Sequence, residues 1–165
     1  MASMDRRLIT LISASALLAV IVAVVLISGG SDESSSSADL TDVSVKPTIE
    51  APGGTAPTEL VINDIKDGTG PAAKDGDEVK VQYVGALFDT GQEFDASWDR
   101  GEPFELTLGG GTVIQGWDQG LVGMKAGGRR ELIIPPDLGY GPQGSPPSIP
   151  ANATLIFVVD MLSIN

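Results

Sequence analysis

Glu78-Val-Lys-Val-Gln-Tyr-Val84 alternates apolar and polar residues without a break. Val79, Val81 and Tyr83 fall on one face of an extended chain and Lys80 and Gln82 on the other, the pattern of a half-buried β-strand. The same grammar repeats on both sides. Upstream, Leu60-Val-Ile-Asn-Asp-Ile65 is a short apolar run closed by the turn pair Asp67-Gly68. Downstream, Asp89-Thr-Gly91 turns the chain, Phe104-Glu-Leu-Thr-Leu108 alternates again, and Arg129-Arg-Glu-Leu-Ile-Ile134 stops at Pro135-Pro136. Thr154-Leu-Ile-Phe-Val-Val-Asp-Met-Leu162 is the most apolar run of the set. One short helix fits, near residues 115–121. Short strands separated by glycine-rich turns predict a small antiparallel β protein over residues 59–165, expected to fold alone.

Composition narrows the chemistry. The 165 residues contain no cysteine and no histidine. Disulfides, thiolate nucleophiles, Cys/His zinc sites and serine–histidine–aspartate triads are therefore excluded. Ten basic against 22 acidic residues give a net charge of −12, which repels phosphate backbones and argues against a nucleic-acid partner. All the aromatic residues lie between Tyr83 and Phe157, so the core belongs to the C-terminal part. Asp75, Asp77 and Glu78 lack the spacing of a calcium loop and read as a solvated turn. Gly109-Gly-Gly111 has no following lysine-and-helix pattern for phosphate and reads as a flexible turn.

The N-terminus reads as a targeting segment, residues 1–30. Arg6 and Arg7 precede an apolar run over residues 8–27, long enough to cross a bilayer as a helix. The basic flank predicts the N-terminus inside and the bulk of the chain on the extracytoplasmic side, membrane-anchored or secreted. Both an anchor and a cleaved signal fit. Ile27-Ser28-Gly29 is similar to the start of a bacterial lipoprotein signal, but Gly30 stands where the lipidated cysteine would be, so the chain cannot be lipidated there. Residues 31–58, with four consecutive serines and no aromatic, are expected to be a disordered linker.

Within residues 59–165 a series of motifs falls in one order: Val81-Gln-Tyr-Val-Gly85, Phe94-Asp95, Asp99-Arg100, Pro103-Phe104, Leu108-Gly109, Val113-Ile-Gln-Gly-Trp117, Pro136-Asp137, Tyr140-Gly141, Ile149-Pro150 and Ala153-Thr-Leu-Ile-Phe157. This resembles the FKBP-type peptidyl-prolyl cis-trans isomerases, the family that binds macrolide immunosuppressants. The resemblance implies an α+β fold in which a five-stranded antiparallel sheet wraps around one short α-helix. It also implies a pocket with Trp117 at its floor, Tyr83, Phe94, Phe104 and Phe157 as walls, and Val113 and Ile114 on the rim. By the same resemblance the Ile114 N–H and the Tyr140 hydroxyl are substrate donors. Asp95 is the polar group at the edge with Arg100 beside it, and Ile149 lies on a flap loop. Thr112, Ser145 and Ser148 depart from common family residues, which bears on substrate preference and drug affinity. No cofactor or metal is implied. The expected partners are proline-containing segments of exported proteins and macrolide inhibitors, and the expected state is a monomer.

The residues suit that chemistry on physical grounds. Rotation about an X-Pro bond crosses a barrier of about 18–20 kcal/mol because it destroys amide resonance. No bond to carbon breaks, so neither nucleophile nor metal is needed. The twisted amide is less dipolar than the planar one, so an apolar pocket with fixed donors favours it. A peptide-binding chaperone without turnover and a structural domain with a vestigial site are the competing readings. The first lacks a long hydrophobic insertion here, and the second would be expected to lose Trp117, Tyr140 or Asp95.

Overall fold

In chain order the elements are β1 (Val61–Lys66), β2 (Thr69–Ala72), β3 (Glu78–Leu87), β4 (Glu93–Ala96), α1 (Ser97–Arg100), β5 (Phe104–Thr107), α2 (Gln115–Gly120), β6 (Lys125–Ala126), β7 (Arg129–Ile134) and β8 (Leu155–Ile164). Two 3₁₀ turns, Pro136–Leu138 and Gly141–Gln143, lie between β7 and β8. The computed structural model describes residues 40–165. The expected targeting segment 1–30, with its apolar run 8–27, and the first part of the expected linker lie outside the described residues. Among the described residues no helix is long and apolar enough to cross a membrane.

The main sheet is antiparallel in the order β1-β7-β8-β3-β4, with β5 also paired to β3. It therefore has six strands where five are expected. β3 is long enough to take two partners on one edge: its end from Val84 to Ala86 pairs with β4, and its start from Glu78 to Val81 pairs with β5. The single turn α1 interrupts that edge. Its first residue, Ser97, is fully buried and its Oγ accepts a hydrogen bond from the Tyr83 N–H at 2.8 Å while donating to the Gln82 side chain. A two-stranded sheet, β2 with β6, adds a second small ladder. β2, β4 and β6 were not legible as strands, because each is a short segment held extended by its partner.

The alternation in β3 sorts the faces as read: Val79, Val81 and Tyr83 are buried and Lys80 and Gln82 are half-buried. Opposite β3, Phe157 of β8 stands level with Gly85, and on its other side with Leu132 of β7. Helix α2 lies against β7 with no room to spare. A methyl group on Gly116 would come within 2.5 Å of the Ile134 side chain, and one on Gly120 within 2.7 Å of Leu132. Tyr83, Leu106, Trp117, Leu121, Leu132, Ile134, Phe157 and Met161 belong to the buried core between helix and sheet.

Residues 40–51 depart from the expected disorder. They form no strand or helix, yet Arg129 donates to the carbonyls of Leu40 at 3.0 Å and Val45 at 2.9 Å. Lys46 bonds to Glu93 and Asp99, and Pro47 is buried. The composition argument fails here because the segment is held by charge and by its backbone carbonyls, which needs little apolar area.

Candidate active site

Five aromatic rings meet on the inner face of the sheet. Trp117 stands edge-on to Tyr83, Phe104 and Phe157, with ring centroids 5.0, 6.0 and 5.3 Å away. Phe94 and Phe157 meet at 5.5 Å, and Tyr83 and Phe104 at 5.9 Å, again edge to face. Such contacts set the positive ring edge against the negative face. Trp117, Tyr83 and Phe157 are buried while Phe94 and Phe104 are half-buried, so the cluster has a closed floor and an open rim. The Trp117 Nε1 is buried and has no hydrogen-bond partner among the described residues.

A β-bulge puts Phe94 and Asp95 on the site together. Glu93 pairs with Ala86 and Asp95 with Gly85, so Phe94 is an extra residue on β4. In a regular strand two successive side chains face opposite ways; a bulge re-aims one of them. Phe94 thus reaches Phe157, and its neighbour Asp95 reaches Tyr83. Gly85 makes the space: a methyl group there would lie 2.7 Å from the Phe157 ring and 2.8 Å from the Phe94 ring.

Asp95 is committed on both oxygens. The Tyr83 hydroxyl donates to one, and Arg100 donates to the other at 2.5 Å. Arg100 also donates to the Tyr83 hydroxyl at 2.8 Å, and its guanidinium carbon lies 5.5 Å from the centre of that ring. Burial, then the Asp95 carboxylate, push the Tyr83 hydroxyl up to about 12. Burial, with Asp95 adding to it, also raises Tyr140. Tyr140 is an exposed residue, and its hydroxyl has no partner among the described residues.

The loop into α2 is pinned rather than flexible. Asp118, in the first turn of α2, accepts from the N–H groups of Gly109 at 2.9 Å and Gly111 at 3.1 Å. That holds the two half-buried rim residues, Val113 and Ile114, against the core. The Ile114 carbonyl accepts from Trp117 at 2.9 Å, fixing the start of the helix. On the other side, Ser145 and Ile149 exchange backbone bonds at 2.8 and 3.0 Å and close the flap loop. Ile149 is buried in the same core as Trp117 and Phe157, so it anchors the flap. A groove of about 430 Å³ runs beside Phe94, between Gln92 and Glu93 on one bank and Pro147, Ser148 and Pro150 on the other.

A family model described as FKBP-type peptidyl-prolyl cis-trans isomerase matches residues 70–162. The chain belongs to this family. It is a peptidyl-prolyl cis-trans isomerase of the FKBP type. An FK506-binding protein of Streptomyces anulatus is 54% identical over 120 residues, covering 72% of this chain and 97% of that protein. A probable FK506-binding protein of Corynebacterium glutamicum is 52% identical over 118 residues, with 72% and 98% covered. Among solved structures, that of AtFKBP13 superposes with a TM-score of 0.61 at 37% identity, over 67% of this chain and 96% of that one. FkpA from Escherichia coli superposes with a TM-score of 0.60 at 47% identity, over 68% of this chain and 51% of that one.

In this FKBP-type domain Tyr83, Phe94, Phe104, Trp117 and Phe157 form one cluster, with Asp95 and Arg100 bonded to its Tyr83. Val113 and Ile114 enter the core at the start of α2. The sequence reading missed Ser97 and Asp118. A buried serine has no sequence signature of its own. An aspartate in the first turn of a helix just after a glycine run is a legible signal, since its carboxylate can cap free N–H groups.

Proposed function

We propose that the aromatic cup is the isomerase site and that it acts on proline-containing segments of proteins exported across a membrane. The observation that carries the site is the pairing of an apolar aromatic floor with an Asp95 whose two oxygens accept from Tyr83 and Arg100. The proline ring sits over Trp117 between Tyr83, Phe94, Phe104 and Phe157. The Ile114 N–H and the Tyr140 hydroxyl donate to the peptide as its amide twists, and neither donates to another described residue. In apolar surroundings those donors are worth more than in water, and they favour the twisted amide over the planar one. Each tenfold gain in rate needs about 1.4 kcal/mol of such preference. No cofactor takes part.

Binding of a macrolide at the same cup is supported by the Streptomyces and Corynebacterium relatives, which are described as FK506-binding proteins. Ser148 lines the groove beside Phe94, so its departure from the common family residue bears on what flanks the proline. Export rests on Arg6, Arg7 and the apolar run 8–27, with the isomerase domain outside and acting as a monomer. The test is a protease-coupled assay on short X-Pro peptides with and without FK506, run beside Phe94→Ala. Activity that FK506 removes and Phe94→Ala lowers fits the site; a folded Phe94→Ala protein as fast as the parent overturns it. A C-terminal reporter that works only after export tests the topology.

A further inference from the structure

We infer that Lys46, which precedes the isomerase domain in sequence, is a positioning residue for its site. The inference rests on the aromatic cup being that site. Lys46 Nζ bonds to Glu93 Oε1 at 2.9 Å and to Asp99 Oδ1 at 2.7 Å. Glu93 opens β4 immediately before Phe94 and Asp95, and Asp99 stands immediately before Arg100. One ammonium therefore ties the start of β4 to α1 across a stretch that carries Phe94 and Asp95 and is followed at once by Arg100. Between those ends the β3–β4 ladder, the buried Ser97 and the Tyr83–Asp95 bond fasten the stretch to β3 from inside; Lys46 adds a tie from outside.

The ammonium is itself held in place from behind. Val45, its neighbour, gives its carbonyl to Arg129 Nη2 at 2.9 Å, and Leu40 gives its carbonyl to Arg129 Nη1 at 3.0 Å. Arg129 is 1% exposed and locked to Asp160 by bonds of 2.5 and 2.9 Å. Pro47, on the other side of Lys46, is buried. Farther on, the strap passes so near the β3–β4 turn that a methyl on Gly91 would lie 2.6 Å from the Ala51 nitrogen. A lysine on a free tail would lose its contacts to side-chain entropy. This one extends from a backbone fixed on both sides.

Three side chains at the rim are then set by a segment outside the matched family region, residues 70–162. Glu93 also lines the groove beside Phe94, so the strap reaches the surface along which a peptide flanking the proline would lie. The effect is on catalytic efficiency and not on folding, since both ion pairs are on the surface and contribute little to stability.

The test uses the full chain and three variants. Lys46→Met keeps the stem and removes the charge; Lys46→Arg restores it; Phe94→Ala reports on the site reading. Lys46→Met is expected to lower kcat/KM on X-Pro peptides about two- to fivefold with an unchanged melting temperature, and Lys46→Arg to recover it. High salt should bring the parent down to Lys46→Met and leave Lys46→Met unchanged. In a Glu93→Gln, Asp99→Asn background Lys46→Met should have no further effect. If Lys46→Met matches the parent while Phe94→Ala is impaired, the inference is overturned and the site stands. If both match the parent, the site reading itself falls. A loss that tracks a lower melting temperature and is not recovered by Lys46→Arg marks Lys46 as merely structural and also overturns the inference.

Discussion

The Tyr83 hydroxyl donates to the Asp95 carboxylate across the β3–β4 pair, and this bond makes a tyrosine the support of the site's carboxylate. Arg100 completes the triangle by donating to both. The three side chains thus form one closed hydrogen-bonded set at the edge of the aromatic cluster.

Turnover should be flat between about pH 6 and 8, because the chain has no histidine and the unperturbed side chains titrate elsewhere. A bell-shaped profile in that range would show that a proton transfer takes part and would overturn this mechanism. At high pH the sign is also determined. Tyr83 is raised to about 12, so the folded state holds its proton more tightly than the unfolded one. That contribution is complete below the unfolded tyrosine value and is lost as pH climbs toward about 12. In a Tyr140→Phe background, ultraviolet titration should show the remaining tyrosine ionising only near that upper value. Ionisation near the ordinary value in folded protein would mean that Tyr83 is neither buried nor held by Asp95.

Substitutions at the cup should rank by what they open. Tyr140→Phe removes one exposed hydroxyl and should lower catalytic efficiency a few-fold to about tenfold. Phe94→Ala should do more, since it removes the wall against Phe157 and admits water. It also costs fold stability, up to about 3 kcal/mol for a ring that is only half-buried, so rates are compared on protein shown to be folded. Asp95→Asn keeps the shape and should give a smaller loss than Phe94→Ala. Kinetics on a common X-Pro peptide decide the order.

Gly85→Ala should disable the site with modest damage to the fold. The added methyl overlaps the Phe94 and Phe157 rings, which must swing away. Overpacking of this kind costs about 1–3 kcal/mol, and activity should fall by more than tenfold because the displaced rings are the walls. Retained activity at full strength would mean those rings do not bound the substrate.

Arg129→Met should leave Asp160 buried without its partner, at about 3–5 kcal/mol, read from denaturant midpoints. Burial raises the Asp160 carboxyl above its ordinary value, and Arg129 opposes this. A raised carboxyl stabilises the fold most at low pH and loses that contribution as pH rises. The variant should therefore weaken more steeply than the parent as pH increases through the carboxylate range. Adding Asp160→Leu should recover part of the loss. A variant as stable as the parent would argue against the buried pair.

Limited proteolysis should nick the exposed stretch 51–55 before residues 40–50, which are held to Arg129, Glu93 and Asp99. N-terminal sequencing of the first stable fragment checks this; early cleavage within 40–50 would show that the strap is free.

Alternation and turn residues were sufficient for β3, β5, β7 and the last strand, since burying one face of a strand imposes a period of two on its own residues. The motif series also carried the fold and the aromatic set. Tyr83, Phe94, Phe104, Trp117 and Phe157 were legible as one group through the motif series, and the packed chain brings their rings together. Features that exist only between distant segments were not legible. β4 is a strand because β3 is beside it, and the bulge that aims Phe94 and Asp95 at the same site is a mismatch between two strands. Asp118 pins a glycine loop that looked flexible because its N–H groups carry no sign of their acceptor. Lys46 stands in a stretch whose composition predicts disorder, and only the fold brings Glu93, Asp99 and the backbone grip of Arg129 to it. Apolar burial is written locally, residue by residue; hydrogen bonds and ion pairs across long loops depend on where two segments meet, and that is decided by the packed chain.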